Sequence, residues 1–143
     1  MHPTYFCEVL LIKFTVYGVP EPQGSIRAFL PKGWTRPVLT SDNPHVKSWR
    51  QEVAKAAAGA VEHLIPRGTA VYVGIRFQFA PPKSWRNGQC YKPTRPDLDK
   101  LVRAVLDAMT GIVYEDDAQV AEVNAEKIFE YPEGCYIEVQ AKA

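Results

Sequence analysis

The chain has 143 residues and a formal net charge of +1, enough for one domain, residues 1–143, built on one core. Its hydrophobic fraction of 46% and charged fraction of 23% are those of a water-soluble globular protein, and its longest aliphatic run, Val9 to Ile12, falls far short of the ~20 residues that cross a bilayer. Three scattered cysteines (Cys7, Cys90, Cys135), three scattered histidines and an N-terminus without a signal-peptide pattern argue against a disulfide framework, a zinc site and secretion, and lead us to expect a cytoplasmic protein.

In chain order, Leu10, Ile12, Phe14 and Val16 alternate with Leu11, Lys13, Thr15 and Tyr17, the period of a strand. Pro20 to Thr40 is rich in Gly, Pro and basic residues and reads as a loop or an irregular hairpin. Asn43-Pro44 is a helix-start signal, with Asn as the cap. Val46, Trp49, Val53, Ala56 and Ala60 then make one apolar stripe. Val71, Val73, Ile75, Phe77 and Phe79 alternate strictly with Tyr72, Gly74, Arg76 and Gln78, the clearest strand in the chain. APPKSWRNGQCYKPTRP, residues 80 to 96, is a long basic loop, and loops of such length are commonly functional or mobile. A second helix follows, with Leu98, Leu101, Val102, Val105 and Met109 on one side, ended by Thr110-Gly111. Ile112 to Tyr114 reads as a short strand, Val120 to Tyr131 as a longer one with a bulge, and Cys135 to Ala141 as the last. The order β, loop, α, β, loop, α, β, β predicts an α+β domain, a mixed sheet with two helices on one face.

Charge is unevenly spread. Residues 67 to 103 carry eight basic side chains against Asp97 and Asp99, whereas residues from 104 onward carry nine acids against Lys127 and Lys142. A basic surface beside a small acidic centre suits a protein that holds a polyanion and a cation together; charges mixed evenly over the surface are the plainer alternative.

Two acidic clusters stand out. Asp97 and Asp99 open the second helix in RPDLDKLVRAVLD, and Glu115, Asp116 and Asp117 follow its end in YEDDAQV. Residues two apart point the same way in extended chain but lie about 200° apart on a helix. For Asp97 and Asp99 to share a task, Asp97 must stand at or before the N-cap. Taken singly, each cluster has an ordinary reading: Asp97 is a cap and Asp99 a first-turn acid near the positive end of the helix dipole, and the acidic triplet is an exposed turn. Arg103, one turn after Asp99, is placed to pair with it. Together the clusters suggest a hard-cation site, because Mg²⁺ and Mn²⁺ choose carboxylates. That reading expects the acidic turn to come back toward the helix start. An EF-hand is excluded, since Leu101 and Ala108 occupy ligand positions.

PDLDKLVRAVLDAMTGIVYEDDAQV closely resembles the motif region of the RusA-type Holliday junction resolvases, many of them carried by phages and prophages. GVPEPQGSIRAF is similar to that family's early Pro-rich, basic stretch. The resemblance implies a RusA-like two-layer fold and a Mg²⁺-dependent endodeoxyribonuclease that cuts four-way DNA junctions as a homodimer in recombination and repair, leaving a 5′-phosphate and a 3′-hydroxyl. The family's essential acids fall on Asp97, Asp99 and Asp117, which the resemblance makes metal ligands, with Asp116 beside them to order water or act as a base. The family's helix lysine falls on Arg103, which keeps the charge but presents a planar fork; Lys100 stands where the family pattern has Asn. Arg27, Lys32 and Arg36 in the early loop, and Lys83, Arg86, Lys92 and Arg95 in the long one, are the expected contacts to DNA phosphates. Trp34 and Trp85 are candidates to stack on an unpaired base, although a Trp folded against its own loop is the better reading of each; Trp49 reads as core. Two alternatives stay open: a junction binder with little cleavage, and a nuclease for other branched DNA such as flaps.

Overall fold

The computed structural model describes residues 11–24, 26–41, 43–85 and 88–142; of Ile26, Arg27, Thr40 and Ser41 only the backbone is described. In chain order the elements are β1 (Leu11–Tyr17), β2 (Ile26–Phe29), β3 (Val38–Ser41), α1 (Val46–Ala60), β4 (Ala70–Phe79), α2 (Leu98–Met109), a 3₁₀ turn (Asp117–Gln119), β5 (Val120–Phe129) and β6 (Gly134–Lys142). Four strands form a mixed sheet in the order β1-β6-β4-β5, with β4 and β5 parallel and the other pairs antiparallel. β2 and β3 pair as a separate antiparallel hairpin, the irregular hairpin that the Pro- and Gly-rich segment allowed. The architecture is the expected α+β.

The alternation in β4 decides which face is covered. Val71, Val73, Ile75, Phe77 and Phe79 are buried, while the residues between them are wholly or partly exposed. Against that face α1 places Val46, Trp49, Val53 and Ala57, and α2 places Leu101, Ala104, Val105, Ala108 and Met109. Each large apolar side chain removed from water here contributes roughly 1.5–3 kcal/mol. The opposite face is open to solvent and carries ion pairs across strands, Arg76 with Glu126 at 2.8 Å and Lys13 with Glu138 at 3.7 Å.

Three local expectations are corrected. The N-cap of α1 is His45, not Asn43. Asn43 accepts the His45 N–H at 3.0 Å instead, a side-chain turn two residues long that delays the helix. The stripe on α1 closes with Ala57, while Ala60 is exposed. Ile112 to Tyr114 is a turn, not a strand, carrying isolated bridges from Tyr114 to Ile65 and to Thr110. Burial of Tyr114 and its Oη bond to the Leu106 carbonyl at 2.8 Å fold this segment back against the end of α2. The predicted bulge is real: between Val71↔Val120 and Tyr72↔Glu122, Ala121 is the extra residue.

Candidate functional site

The first acidic cluster sits on a helix start that is open to a ligand. Asp97 is the N-cap of α2, with extended backbone (φ −67°, ψ 134°), and its carbonyl accepts the Leu101 N–H at 3.1 Å. Its carboxylate makes no capping hydrogen bond. The ordinary cap role, in which a side-chain oxygen takes the N–H of the second or third helical residue, is therefore not the one Asp97 plays. Asp99 is exposed in the first turn. Both carboxylates stand at the helix end where unpaired N–H groups favour negative charge. Arg103 is exposed one turn further on, and among the described residues no ion pair joins it to Asp99.

A cleft of about 590 Å³ opens beside Asp97. Its walls are Val19 to Pro22 after β1, Asn43, Phe79 at the end of β4, Lys92, Arg95 and Pro96 from the long loop, and Lys100 from α2. Backbone ties set these walls: Gln23 N–H donates to the Lys100 carbonyl at 3.0 Å, and Asn43 Nδ2 donates to the Pro22 carbonyl at 2.8 Å and to Glu21 at 3.2 Å. Lys92, Arg95 and Lys100 face Glu21 and Asp97, so the cleft is basic with an acidic edge. Lys92 stands over the rings of Phe79 and Phe129, at 5.4 and 5.5 Å. Desolvation there, then the neighbouring Lys127, push its pKa down.

The long loop is less free than its composition suggests. Tyr91 bridges Ile128, Lys92 N–H donates to the Lys127 carbonyl at 3.0 Å, and Phe129 N–H donates to the Cys90 carbonyl at 2.8 Å. Its last third is thus laid along the outer edge of β5, which delivers Arg95 and Asp97 to the cleft.

The second cluster is built differently. Asp116 caps the 3₁₀ turn with a full capping box: its carboxylate accepts the Ala118 N–H at 2.9 Å, and its own N–H donates to Gln119 at 3.0 Å. That backbone hydrogen bond holds the Asp116 carboxyl below the usual aspartate range, which makes it a weak base. Glu115 accepts the Arg67 N–H at 2.9 Å and pairs with its guanidinium at 3.4 Å. Asp117 is exposed in the first turn of the 3₁₀ segment.

The two clusters do not meet within one chain. Asp97 and Asp99 open α2, whereas Glu115 to Asp117 follow its far end, and twelve helical residues lie between, a length of roughly 18 Å. Among the described residues no three His, Cys, Asp or Glu side chains converge on a metal position. The reason is topological. The chain does return along α2, but it returns as β5, and the residue that bonds beside the helix start is Lys127, while Phe129 bonds the long loop further back, at Cys90.

Of the other expected site residues, Lys32, Arg36 and Lys83 are exposed, and the Arg27 side chain and all of Arg86 lie outside the described residues. Trp85 folds onto its own loop, its Nε1 donating to the Gln89 carbonyl, while Trp34 is 60% exposed. Trp49 is core. Glu21 and Lys127 escaped the reading of the sequence. Glu21 carried no signal there. Lys127 carried one: by the alternation of β5 it falls on the helix-facing side, opposite Phe77.

The chain is 32% identical over 128 residues to an uncharacterized protein, YqaN, of Bacillus subtilis (strain 168), covering 82% of this chain and 87% of that protein. The model of the family described as Endodeoxyribonuclease RusA matches residues 20–140, a span that takes in all of the cleft but Val19, with α2 and both acidic clusters. The chain belongs to the RusA endodeoxyribonuclease family, a family of Holliday junction resolvases.

Proposed function

We propose that this protein is a Mg²⁺-dependent endodeoxyribonuclease, able to use Mn²⁺, that resolves four-way DNA junctions as a homodimer. The observation that carries the reading is the start of α2: an N-cap aspartate whose carboxylate is not spent on capping, a second exposed aspartate in the first turn, and a basic cleft alongside. Family membership supplies the nuclease chemistry.

The donor set fits a hard cation in type but is incomplete in one chain. Two exposed carboxylates supply oxygens of the right kind, and the third, Asp117, lies a helix length away. A second copy completes it. β5 is the edge strand, and among the described residues no strand pairs with its outer edge from Val120 to Glu126. Val123 is 41% exposed on that flank, and Val102 and Leu106 of α2 are only partly buried. A two-fold axis beside this flank and perpendicular to α2 sets the two α2 helices antiparallel. Asp117 of one copy then reaches Asp97 and Asp99 of the other, twice per dimer.

A divalent ion held there supplies a Lewis acid for the phosphodiester and a more acidic attacking water. The protein's own residues do the rest. Asp97, Asp99 and the second copy's Asp117 hold the ion. Arg103, unpaired by Asp99, offers its guanidinium to the phosphoryl oxygens as charge builds. Lys92, Arg95 and Lys100 bind backbone phosphates in the cleft, and Lys32, Arg36 and Lys83 extend the path.

The test is cleavage of a synthetic four-way junction, a flap and plain duplex, each with Mg²⁺ and with EDTA. Junction cutting that needs the metal is the expected result. Tight junction binding without cutting, or a preference for the flap, overturns it.

A further inference from the structure

Among the described residues, Lys127 is the one residue of β5 whose side chain hydrogen-bonds the segment leading into α2, and it does so without a carboxylate. Its Nζ donates to the Thr94 carbonyl at 2.7 Å and to the Pro96 carbonyl at 2.8 Å. Among the described residues no acid pairs with it. A half-buried ammonium beside a second one, Lys92, is unfavourable unless its protons are taken up by acceptors. Here two backbone oxygens take them, and both belong to the short segment that leads into Asp97.

The Pro96 carbonyl is part of the peptide unit that carries the Asp97 nitrogen. Because that unit is planar, fixing the direction of its oxygen fixes the position of Asp97 N. Only the φ and side-chain torsions of Asp97 then remain to aim its carboxylate. The Asp97 carboxylate has no capping bond of its own to hold it. Lys92 Nζ reinforces the segment by donating to Thr94 Oγ1 at 2.8 Å, and the Lys92 N–H bonds the Lys127 carbonyl at 3.0 Å. The loop segment, the strand and the helix start therefore meet at Lys127.

We infer that Lys127 is a positioning residue for the cation site: acting through the Thr94 and Pro96 carbonyls, it sets the approach of the Asp97 carboxylate. This rests on the reading of Asp97 as a metal ligand given above. Lys127 holds two backbone carbonyls, so its removal loosens ion binding and turnover more than junction affinity, which it reaches only through Arg95, the residue between its two partners. Groups that orient metal ligands in this way typically cost ~10–100-fold in affinity or rate when removed.

The experiment compares wild type, K127M, K127R and D99N as full-length chains. Free Mn²⁺ is followed by its paramagnetic resonance during titration, junction binding is measured in EDTA, and kcat and KM are measured for junction cleavage. For K127M the expected result is an Mn²⁺ Kd raised by ~10-fold or more and kcat lowered by a similar factor, with KM and junction affinity in EDTA changed far less. K127R, whose guanidinium still offers two N–H groups to the two carbonyls, restores both to within a few-fold of wild type. K127M with wild-type Mn²⁺ affinity overturns the inference. Should K127M fail to fold, K127R decides: folded K127R that has lost Mn²⁺ also overturns it. D99N separates the two levels. If D99N binds Mn²⁺ and cuts as wild type does, the proposed site itself has failed; if D99N is inactive while K127M is normal, only the role of Lys127 has.

Discussion

Asp97 and Asp116 hold the same position relative to the helical segments that follow them, yet their carboxylates are employed in opposite ways. Asp116 accepts the Ala118 N–H within a reciprocal capping box, and that bond lowers its pKa. Asp97 caps a much longer helix with its backbone alone and leaves its carboxylate, among the described residues, without a hydrogen bond, beside a basic cleft. An acid that completes the local hydrogen bonding is accounted for by folding. An acid that declines to do so, at a helix end where capping favours stability, is available for a ligand.

The sharpest way to break this contrast is Asp99→Asn, the neighbour of the unbonded carboxylate. Junction cleavage is expected to fall by on the order of 10³-fold, the scale seen when a transition-state charge stabiliser is removed. Binding measured in EDTA should hold or tighten, because a charge facing a polyanion has gone. Loss of binding by a folded variant would remove Asp99 from the DNA-facing side.

Next in size is complementation between copies. Asp99→Asn and Asp117→Asn are each expected to be inactive alone. Mixed and allowed to exchange, they should recover about a quarter of wild-type activity, since half the dimers are mixed and each of those holds one undamaged site. No recovery would mean that each site is drawn from a single chain.

A smaller effect separates the two caps by stability. Asp116→Ala should lower the melting temperature by about 3 °C through loss of the cap. Asp97→Asn should leave it within about 1 °C, because no capping bond is lost. Equal losses would erase the distinction.

The smallest effect is in acid. Because the folded-state pKa of Asp116 is depressed, its contribution is complete above the ordinary aspartate value of about 3.9. It disappears as pH falls through the lower, folded-state value. The melting difference between wild type and Asp116→Asn should therefore be constant from pH 7 to pH 5 and shrink at more acidic pH.

The periodicities of β4 and α2 made the sheet, the covered face and the helix start legible, because burial imposes spacing that survives in sequence. Asp97 was legible as an N-cap because it stands just before the apolar stripe that opens at Leu98. What stayed hidden is directional. Nothing local says whether a chain leaving α2 brings back its first residues or its last, and here Tyr114, folded against Leu106, pins the acidic turn at the far end. Lys127 was hidden for a related reason: its partners are carbonyls some thirty residues away, and carbonyls carry no sequence identity. The delayed start of α1 turned on one Asn side chain choosing the amide two residues ahead.

The span of α2 has one more consequence. With the two ends of that helix held apart by a rigid rod, a lone protomer possesses only fractions of two different sites, and on the proposed arrangement neither fraction can cut. If cutting needs the pair, dilution would act as a safety catch: below its association threshold the protein would be harmless to nearby DNA, and when a pair did assemble, both blades would arrive at once.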